Sequence, residues 1–210
     1  MMEAESKNIL VLAPHTDDGE FGCGASMAKW IEQGYRLIYV AFSACRTVVP
    51  ESLPPDTLVR EVRQATSIMG IEDLLLFDYE VRVFSSKRQE ILDDMVKLAR
   101  EYKPSLVLTP ASTDIHQDHG VIHAESQRAF KYNRLLGYEL PWNTTVMTTS
   151  CFSAVEEKHI LKKTEAILSY RSQAFRHYYS AEFIRSLAYT RGTQAGTQFA
   201  EAFEVIRWLL

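Results

Sequence analysis

The 210-residue sequence has few cysteines, no long apolar run and no excess of positive charge. Its three cysteines are odd in number and show no CxxC spacing, which argues against a disulfide framework and favours a reducing compartment. No apolar segment approaches the ~18 residues of a membrane span, and the acidic start MMEAES lacks the basic residues of a secretory signal. The net charge of −4 and the lack of a Lys/Arg block argue against nucleic acid. We therefore expect a cytoplasmic protein with no nucleic-acid partner and no stable membrane insertion.

What the sequence does have is a regular alternation of apolar runs and helical patterns. Strands are predicted at Asn8–Pro14, Arg36–Phe42, Asp73–Asp78, Leu106–Ala111 and Thr144–Phe152. Helices are predicted at Gly22–Gln33, Leu58–Met69, Gln89–Tyr102, Asp118–Phe130, Glu156–Tyr170 and Ala181–Tyr189, while Phe203–Leu210 fits either a strand or a packed tail. Alternation of this kind is typical of right-handed βαβ crossovers. We expect one α/β domain over residues 1–210, Rossmann-like, with a largely parallel sheet flanked by helices.

Two polar segments follow predicted strands of this sheet. The segment LAPHTDDGEFGCG (12–24) closes the first strand, and DIHQDHGVIH (114–123) follows the fourth. Together they hold four of the six histidines of the chain. In an open parallel sheet, ligands bind beyond the carboxyl ends of the strands. If the first and fourth strands are neighbours, both segments face one crevice.

The residue types in these segments suit a metal ion. His15 and Asp18 are three residues apart on a turn that leads into a helix, so their side chains can converge on one point. Imidazole nitrogen and carboxylate oxygen are both zinc ligands, and one further histidine would complete a three-ligand site with an open position for water. Asp17 lies between the two and stays free to act as a base.

Other interpretations remain open at this point. The Asp-Asp-Gly run by itself is also typical of a turn and helix cap, and HxDH of a solvated helix start. A two-metal phosphoesterase is the main alternative enzyme, with Asp114, Asp118 and His123 as further ligands. A nucleotide-binding module is disfavoured because Met27 replaces the third glycine of GxGxxG and the turn is acidic. A metal-free scaffold is disfavoured because the candidate ligands are all present.

The two motifs resemble those of a known family. Pro14-His15-Thr16-Asp17-Asp18-Gly19 and His116-Gln117-Asp118-His119 are similar to the AHPDDE and HxDH motifs of the PIG-L/LmbE-like zinc-dependent N-deacetylases. Weaker similarities follow in order, at Glu61, Ala65 and Gly70, at Tyr170-Arg-Ser-Gln173 and at Glu201-Ala-Phe203. Two departures stand out. Thr16 replaces the usual proline, which should loosen the turn, and Gly19 replaces the usual glutamate, with Glu20 one place later.

The resemblance implies an LmbE-like fold and assigns roles to the matching positions. It makes His15, Asp18 and His119 the ligands of one Zn²⁺ per chain, a set that other divalent metals also suit. Asp17 becomes the general base acting on metal-activated water. His116 would stabilise the oxyanion and help protonate the leaving amine, and Asp118 would orient a histidine.

The resemblance also implies a substrate class. Family members mostly remove acetyl groups from N-acetylglucosamine conjugates, so we expect a small N-acetylated amino-sugar conjugate. Arg60 is the candidate counterpart of the family's substrate-binding arginine, and Asp114 stands where some members have a tyrosine near the oxyanion. Trp142, in the loop segment YELPWN, could stack on a sugar ring. Because family members often form symmetric oligomers, a homo-oligomer is a further expectation.

Overall fold

A seven-stranded sheet organises the part of the chain that the computed structural model describes, residues 6–209. Its strands are β1 (Asn8–Ala13), β2 (Arg36–Ala41), β3 (Asp73–Leu76), β4 (Leu106–Pro110), β5 (Arg134–Tyr138), β6 (Cys151–Val155) and β7 (Phe199–Arg207). The helices are α1 (Asp18–Glu32), α2 (Thr57–Met69), α3 (Arg88–Tyr102), α4 (Gln117–Ala129), α5 (Glu157–Leu168) and α6 (Ala181–Ala195).

The strand order is β3-β2-β1-β4-β5-β7-β6. The five strands from β3 to β5 pair in parallel, whereas β7 runs antiparallel to both β5 and β6. The predicted α/β fold with a mostly parallel sheet is therefore confirmed, and β1 and β4 are neighbours. Their shared edge brings the two polar segments together.

Strand β1 shows why its sequence reads as a continuous apolar run. Ile9, Val11 and Ala13 pack into the core on one face of the sheet, and Leu10 and Leu12 pack into the core on the other. Helices cover both faces, so neither set of side chains meets water. Because both faces of β1 are buried, its sequence does not show the alternation of apolar and polar residues that marks a half-exposed strand.

The prediction of a fifth strand over Thr144–Phe152 was wrong in place. The fifth parallel strand is Arg134–Tyr138, and the later strand is confined to Cys151–Val155. Strand β5 is not evident from the sequence because it contains Gly137, and glycine is a poor strand former. It is required there because a Cβ would stand 2.9 Å from the Cα of Ala111. The terminal segment forms strand β7 as far as Arg207, and Leu210 lies outside the described residues.

Helix α1 begins four residues before the predicted start at Gly22 and is broken at Cys23, whose φ of −146° is not helical. The break is satisfied by two buried side chains from distant elements. Glu201 accepts the amides of Ala25 at 3.1 Å and Ser26 at 2.7 Å. Lys163 donates to the Phe21 carbonyl at 2.6 Å and to Glu201 at 2.7 Å. The extra turn before the break places Asp18 beside His15.

None of the helices in residues 6–209 is long and apolar enough to cross a membrane.

The close approach of Gly22 to Tyr138 generates a stability prediction. A Cβ on Gly22 would stand 2.2 Å from the Tyr138 ring, which is fully buried and donates its hydroxyl to the Leu12 carbonyl. We expect Gly22→Ala to destabilise the protein by about 1–3 kcal/mol through overpacking. Chemical denaturation measures the difference.

Gly120→Ala is the matched control, because Gly120 is also in a helix but a Cβ there meets nothing within 4 Å. We expect this substitution to stabilise the protein by roughly 0.5–1 kcal/mol, since alanine is the better helix former. Equal effects of the two substitutions would contradict the assigned packing.

Candidate metal centre

Three potential ligand atoms, from the loop after β1 and the first turns of helices α1 and α4, meet beyond the carboxyl ends of β1 and β4. The Asp18 Oδ2 atom lies 3.1 Å from His15 Nδ1 and 3.3 Å from His119 Nε2. The two histidine nitrogens are 3.2 Å apart. Ligands bound tetrahedrally at about 2.0–2.1 Å from a zinc ion are separated by roughly 3.3 Å. The spacing of these atoms therefore fits a metal ion at their centre.

His116 is the third histidine of the cluster. Potential ligand atoms of His15, His116 and His119 all lie within 4.8 Å of one another, so this histidine triad fits a metal site. The His116 Nδ1 atom, however, caps helix α4 by accepting the amide of Asp118 at 3.2 Å. A neutral imidazole that accepts at Nδ1 carries its proton on Nε2. In that state His116 offers a hydrogen-bond donor rather than a second lone pair.

Two carboxylates lie behind the histidines and set their orientation. His15 donates from Nε2 to Asp118 at 3.0 Å, and His119 donates from Nδ1 to Asp114 at 2.7 Å. These hydrogen bonds leave a lone pair on His15 Nδ1 and on His119 Nε2, the atoms that face Asp18. Carboxylates behind ligating histidines have this effect in many metal sites.

The sequence predicts a substrate contact for Asp114, and the structure gives it a different position. Its side chain is 1% exposed, and besides His119 it accepts the backbone amide of His116 at 2.9 Å. It lies beneath the cleft and not in its wall. His123, left open by the sequence, donates from Nδ1 to the Pro110 carbonyl at 2.9 Å, accepts at Nε2 from the Gln127 side-chain amide at 2.9 Å, and does not join the cluster.

Negative charge concentrates at the centre. Burial works against a charged His119, but Asp18 and Asp114 raise the pKa of His119 to about 10. Burial raises the pKa of Asp17 to about 6, with Asp18 adding to the effect and Arg176 opposing it. Burial lowers the pKa of His116 to about 4, and the neighbouring His119 and His15 act in the same direction. The carboxylates that hold a proton on His119 are also suited to hold a cation.

The turn that leads into Asp17 and Asp18 is held in place by two buried tyrosines. The carbonyl of Thr16 lies 3.0 Å from the Tyr39 hydroxyl and 2.7 Å from the Tyr170 hydroxyl, and both hydroxyls also contact the carboxyl group of Glu20. The Gly19 amide donates to the Tyr39 oxygen at 3.1 Å. Contrary to the expectation of a loosened turn at Thr16, its backbone is firmly held.

The same contacts explain the second departure from the family motif, Gly19 followed by Glu20. A Cβ on Gly19 would stand 2.5 Å from the Tyr39 ring, so only glycine leaves room for this tyrosine. Glu20 is fully buried, and burial raises its pKa to about 8 although the Tyr39 and Tyr170 hydroxyls oppose the shift. A neutral Glu20 can donate its single proton to one of the two tyrosine hydroxyls, which frees that hydroxyl to donate to the Thr16 carbonyl.

The centre opens into a cleft of about 330 Å³. Trp142 stacks on Tyr178 in its wall, with ring centroids 3.8 Å apart and planes 3° from parallel. Arg176 and Arg82 also line the cleft. Arg60 does not. It is exposed on α2, 3.4 Å from Asp56.

Sequence reasoning thus found Trp142 in the cleft wall but missed Arg176. The signal that could have found it is the Tyr170-Arg-Ser-Gln173 motif. Glu61 accepts the amide of Ser172 at 2.9 Å and its hydroxyl at 2.5 Å, which fixes this segment against α2. Three residues later, Arg176 enters the cleft.

The chain is similar to known proteins in sequence and in fold. Residues 10–130 match the family model described as PIG-L, GlcNAc-PI de-N-acetylase. The chain is 28% identical over 175 residues to the uncharacterized deacetylase YaiS of Escherichia coli K12, covering 79% of this chain and 91% of that protein.

Solved structures share the fold. The N,N'-diacetylchitobiose deacetylase of Pyrococcus horikoshii superposes with a TM-score of 0.80 at 20% identity, over 96% of this chain and 84% of the other. The 4-carboxy-2-hydroxymuconate hydratase GalB of Pseudomonas putida KT2440 gives 0.79 at 20% identity, over 97% of both chains. At these identities the similarity establishes the fold, and the site must decide the chemistry.

The tyrosine contacts generate a prediction about metal affinity. We expect Tyr39→Phe and Tyr170→Phe each to weaken Zn²⁺ binding by roughly 10-fold, as loss of supporting hydrogen bonds around a metal site does. The reason is that each substitution removes a hydroxyl that holds the Thr16 carbonyl. Competition with a chelator of known affinity measures the dissociation constant.

Tyr138→Phe is the matched control, because it also removes a buried tyrosine hydroxyl, one that donates to the Leu12 carbonyl at 2.9 Å. All three substitutions should cost about 1–3 kcal/mol of stability. Only Tyr39→Phe and Tyr170→Phe should change metal affinity. An unchanged affinity in the Tyr39→Phe/Tyr170→Phe double variant would refute this role.

Proposed function

The chain belongs to the PIG-L family of deacetylases, and we propose that it hydrolyses the acetamide of an N-acetylglucosamine-type conjugate to acetate and a free amine. The carrying observation is the convergence of His15, Asp18 and His119 within 3.1–3.3 Å of one another at the base of the cleft. In this proposal they hold one zinc ion. When bound there, zinc supplies Lewis acidity, which polarises an amide carbonyl and acidifies water.

Asp17 is the proposed general base. It caps the N-terminus of α1 without making a side-chain capping hydrogen bond, and it lines the cleft next to Asp18. Its carboxylate takes a proton from the attacking water as the water oxygen bonds to the amide carbon. When the C–N bond breaks, the same carboxyl group can return that proton to the departing nitrogen. General bases of this kind typically contribute ~10²–10⁴-fold.

His116 is the proposed donor to the oxyanion. Its capping hydrogen bond at Nδ1 leaves Nε2–H available, and its ring is centred 4.9 Å from the ring of His15 and 4.5 Å from that of His119. The resemblance implies that His116 also helps to protonate the leaving amine, whereas the lowered pKa of His116 supports a neutral imidazole. A neutral imidazole can still donate one hydrogen bond to the tetrahedral oxyanion, a contact typically worth about 3–4 kcal/mol.

The cleft supports the proposed substrate class. The Trp142–Tyr178 stack presents apolar aromatic surface in its wall, suited to the face of a pyranose ring. The phosphoesterase alternative needs a second set of ligands. Within residues 6–209 the Asp114 and Asp118 carboxylates are engaged with histidines and His123 is turned to Pro110, so these three residues do not form one.

The proposal is tested by acetate release from N-acetylglucosamine conjugates by the zinc-loaded protein. We expect Asp17→Asn to lower kcat by about 10²–10⁴-fold, because the amide cannot accept a proton from water. Asp56→Asn is the matched control, since Asp56 is likewise a helix N-cap residue without a side-chain capping bond. It should change kcat less than twofold.

Zinc content should be the same in both variants, which separates loss of the base from loss of the metal. The proposal fails if the wild-type protein releases no acetate from any conjugate of a broad panel. Undiminished activity of Asp17→Asn would remove the base from the mechanism.

A further inference from the structure

Arg176 is held in the cleft wall by a chain of polar contacts. Its Nε atom donates to the side-chain oxygen of Gln173 at 2.7 Å, and Gln173 donates to the Ser172 hydroxyl at 3.0 Å. Ser172 in turn is bound to the buried carboxylate of Glu61. The Nη1 atom of Arg176 donates to the Tyr178 hydroxyl. A side chain fixed at two of its nitrogens has little rotamer entropy left to lose on binding a ligand.

Most of the donors of this guanidinium are still available. Arginine carries five N–H donors, of which these contacts use two. Within residues 6–209 no carboxylate lies within ion-pair distance of Arg176, an exposed residue that lines the same cleft as Asp17 and Asp18. In the described part of the chain the remaining donors have no carboxylate partner, so they are available to a ligand in the cleft.

Arg82 adds a second guanidinium to the lining. Its backbone is left-handed, with φ of +73°, which is unusual for a residue with a side chain. The conformation is held by Asp118, which accepts the Arg82 amide at 2.6 Å and also orients His15. Strained backbone of this kind is common at ligand-binding positions. The contact places an arginine at the cleft, tied directly to the metal centre.

We propose that Arg176 determines specificity by binding a carboxylate or phosphate group on the amine half of the substrate, with Arg82 contributing to the same anion site. The inference rests on the proposed deacetylation. A guanidinium matches both anions because its parallel N–H groups bond two oxygens at once. The Trp142–Tyr178 stack lies directly beside it, since Tyr178 is shared between the stack and Arg176. A sugar ring on that surface would hold its anionic substituent against the guanidinium.

A simpler role for Arg176 would be to balance the charge of Asp17. Arg176→Lys separates the two roles, because lysine keeps the positive charge but loses the two-pronged geometry. Under the proposal, lysine restores only a small part of the anion selectivity. Under a charge-balancing role, lysine restores it fully.

The experiment compares three substrates with the same acetamido sugar: the methyl glycoside, the carboxymethyl glycoside and the 1-phosphate of N-acetylglucosamine. We expect wild-type kcat/KM to favour one of the two anions over the neutral glycoside by about 10-fold or more, roughly 1.4 kcal/mol. The preferred substrate shows whether the site binds a carboxylate or a phosphate group. Arg176→Gln should abolish the preference mainly through KM. The exposed Arg63→Gln on α2 is the control and should leave all three values unchanged.

A binding measurement without metal or turnover completes the test. Calorimetric titration of the metal-free protein with methyl phosphate and with acetate should show binding of at least one anion that weakens 10-fold or more in Arg176→Gln. Acetate release with no anion preference overturns this inference while the proposed function stands. Anion binding lost in Arg176→Gln, with no acetate release from any substrate, overturns the proposed function alone. Full restoration of selectivity by Arg176→Lys also overturns the inference.

Discussion

Three acceptor atoms, two imidazole nitrogens and a carboxylate oxygen, are brought within 3.3 Å of one another in this protein. Such a cluster is costly without a cation or protons between its members, because lone pairs and negative charge repel and the site is largely withdrawn from water. Many of the surrounding polar groups hold the members of the cluster in place against this repulsion. Asp118 and Asp114 fix the two rings, and Tyr39 and Tyr170 fix the backbone at Thr16, in the turn that leads into Asp18.

The break in helix α1 belongs to the same constraint. A helix beginning at Gly22, as the sequence pattern predicts, would leave Asp18 in an unsupported loop. The observed helix starts at Asp18 and is interrupted at Cys23, and the groups freed at the break are satisfied by the buried pair of Lys163 and Glu201. These two residues lie more than a hundred positions away in the chain. Local pattern reasoning places the apolar face of α1 correctly, but it has no access to partners at such separation.

Sequence reasoning was strongest where the physics is local or repeated. Buried parallel strands and the two polar segments at their ends could be identified because each is a short, distinctive run. Strand β5 was missed because Gly137 serves a close contact with Ala111 that no strand propensity describes. Arg60 was named as a substrate contact because it stands next to the motif residue Glu61 in sequence, whereas Arg176, which was not considered, reaches the cleft through the contact of Ser172 with Glu61. From the sequence, Gly19 and Glu20 are departures from a motif. In the structure, the Tyr39 ring occupies the space that a side chain at position 19 would need, and the Tyr39 hydroxyl contacts Glu20.

The family model matches residues 10–130, a segment that contains the whole histidine and carboxylate cluster. Trp142, Arg176 and Tyr178 lie beyond it, yet they line the same cleft. In the proposed function, the histidine and carboxylate cluster acts on the amide, and Trp142, Arg176 and Tyr178 contact the rest of the substrate. Because the hydratase GalB shares this fold, the fold alone determines neither the reaction nor the substrate. Substrate choice in this protein should accordingly follow the aromatic stack and the guanidinium fixed against it, while the ability to hydrolyse an amide should follow His15, Asp17, Asp18 and His119.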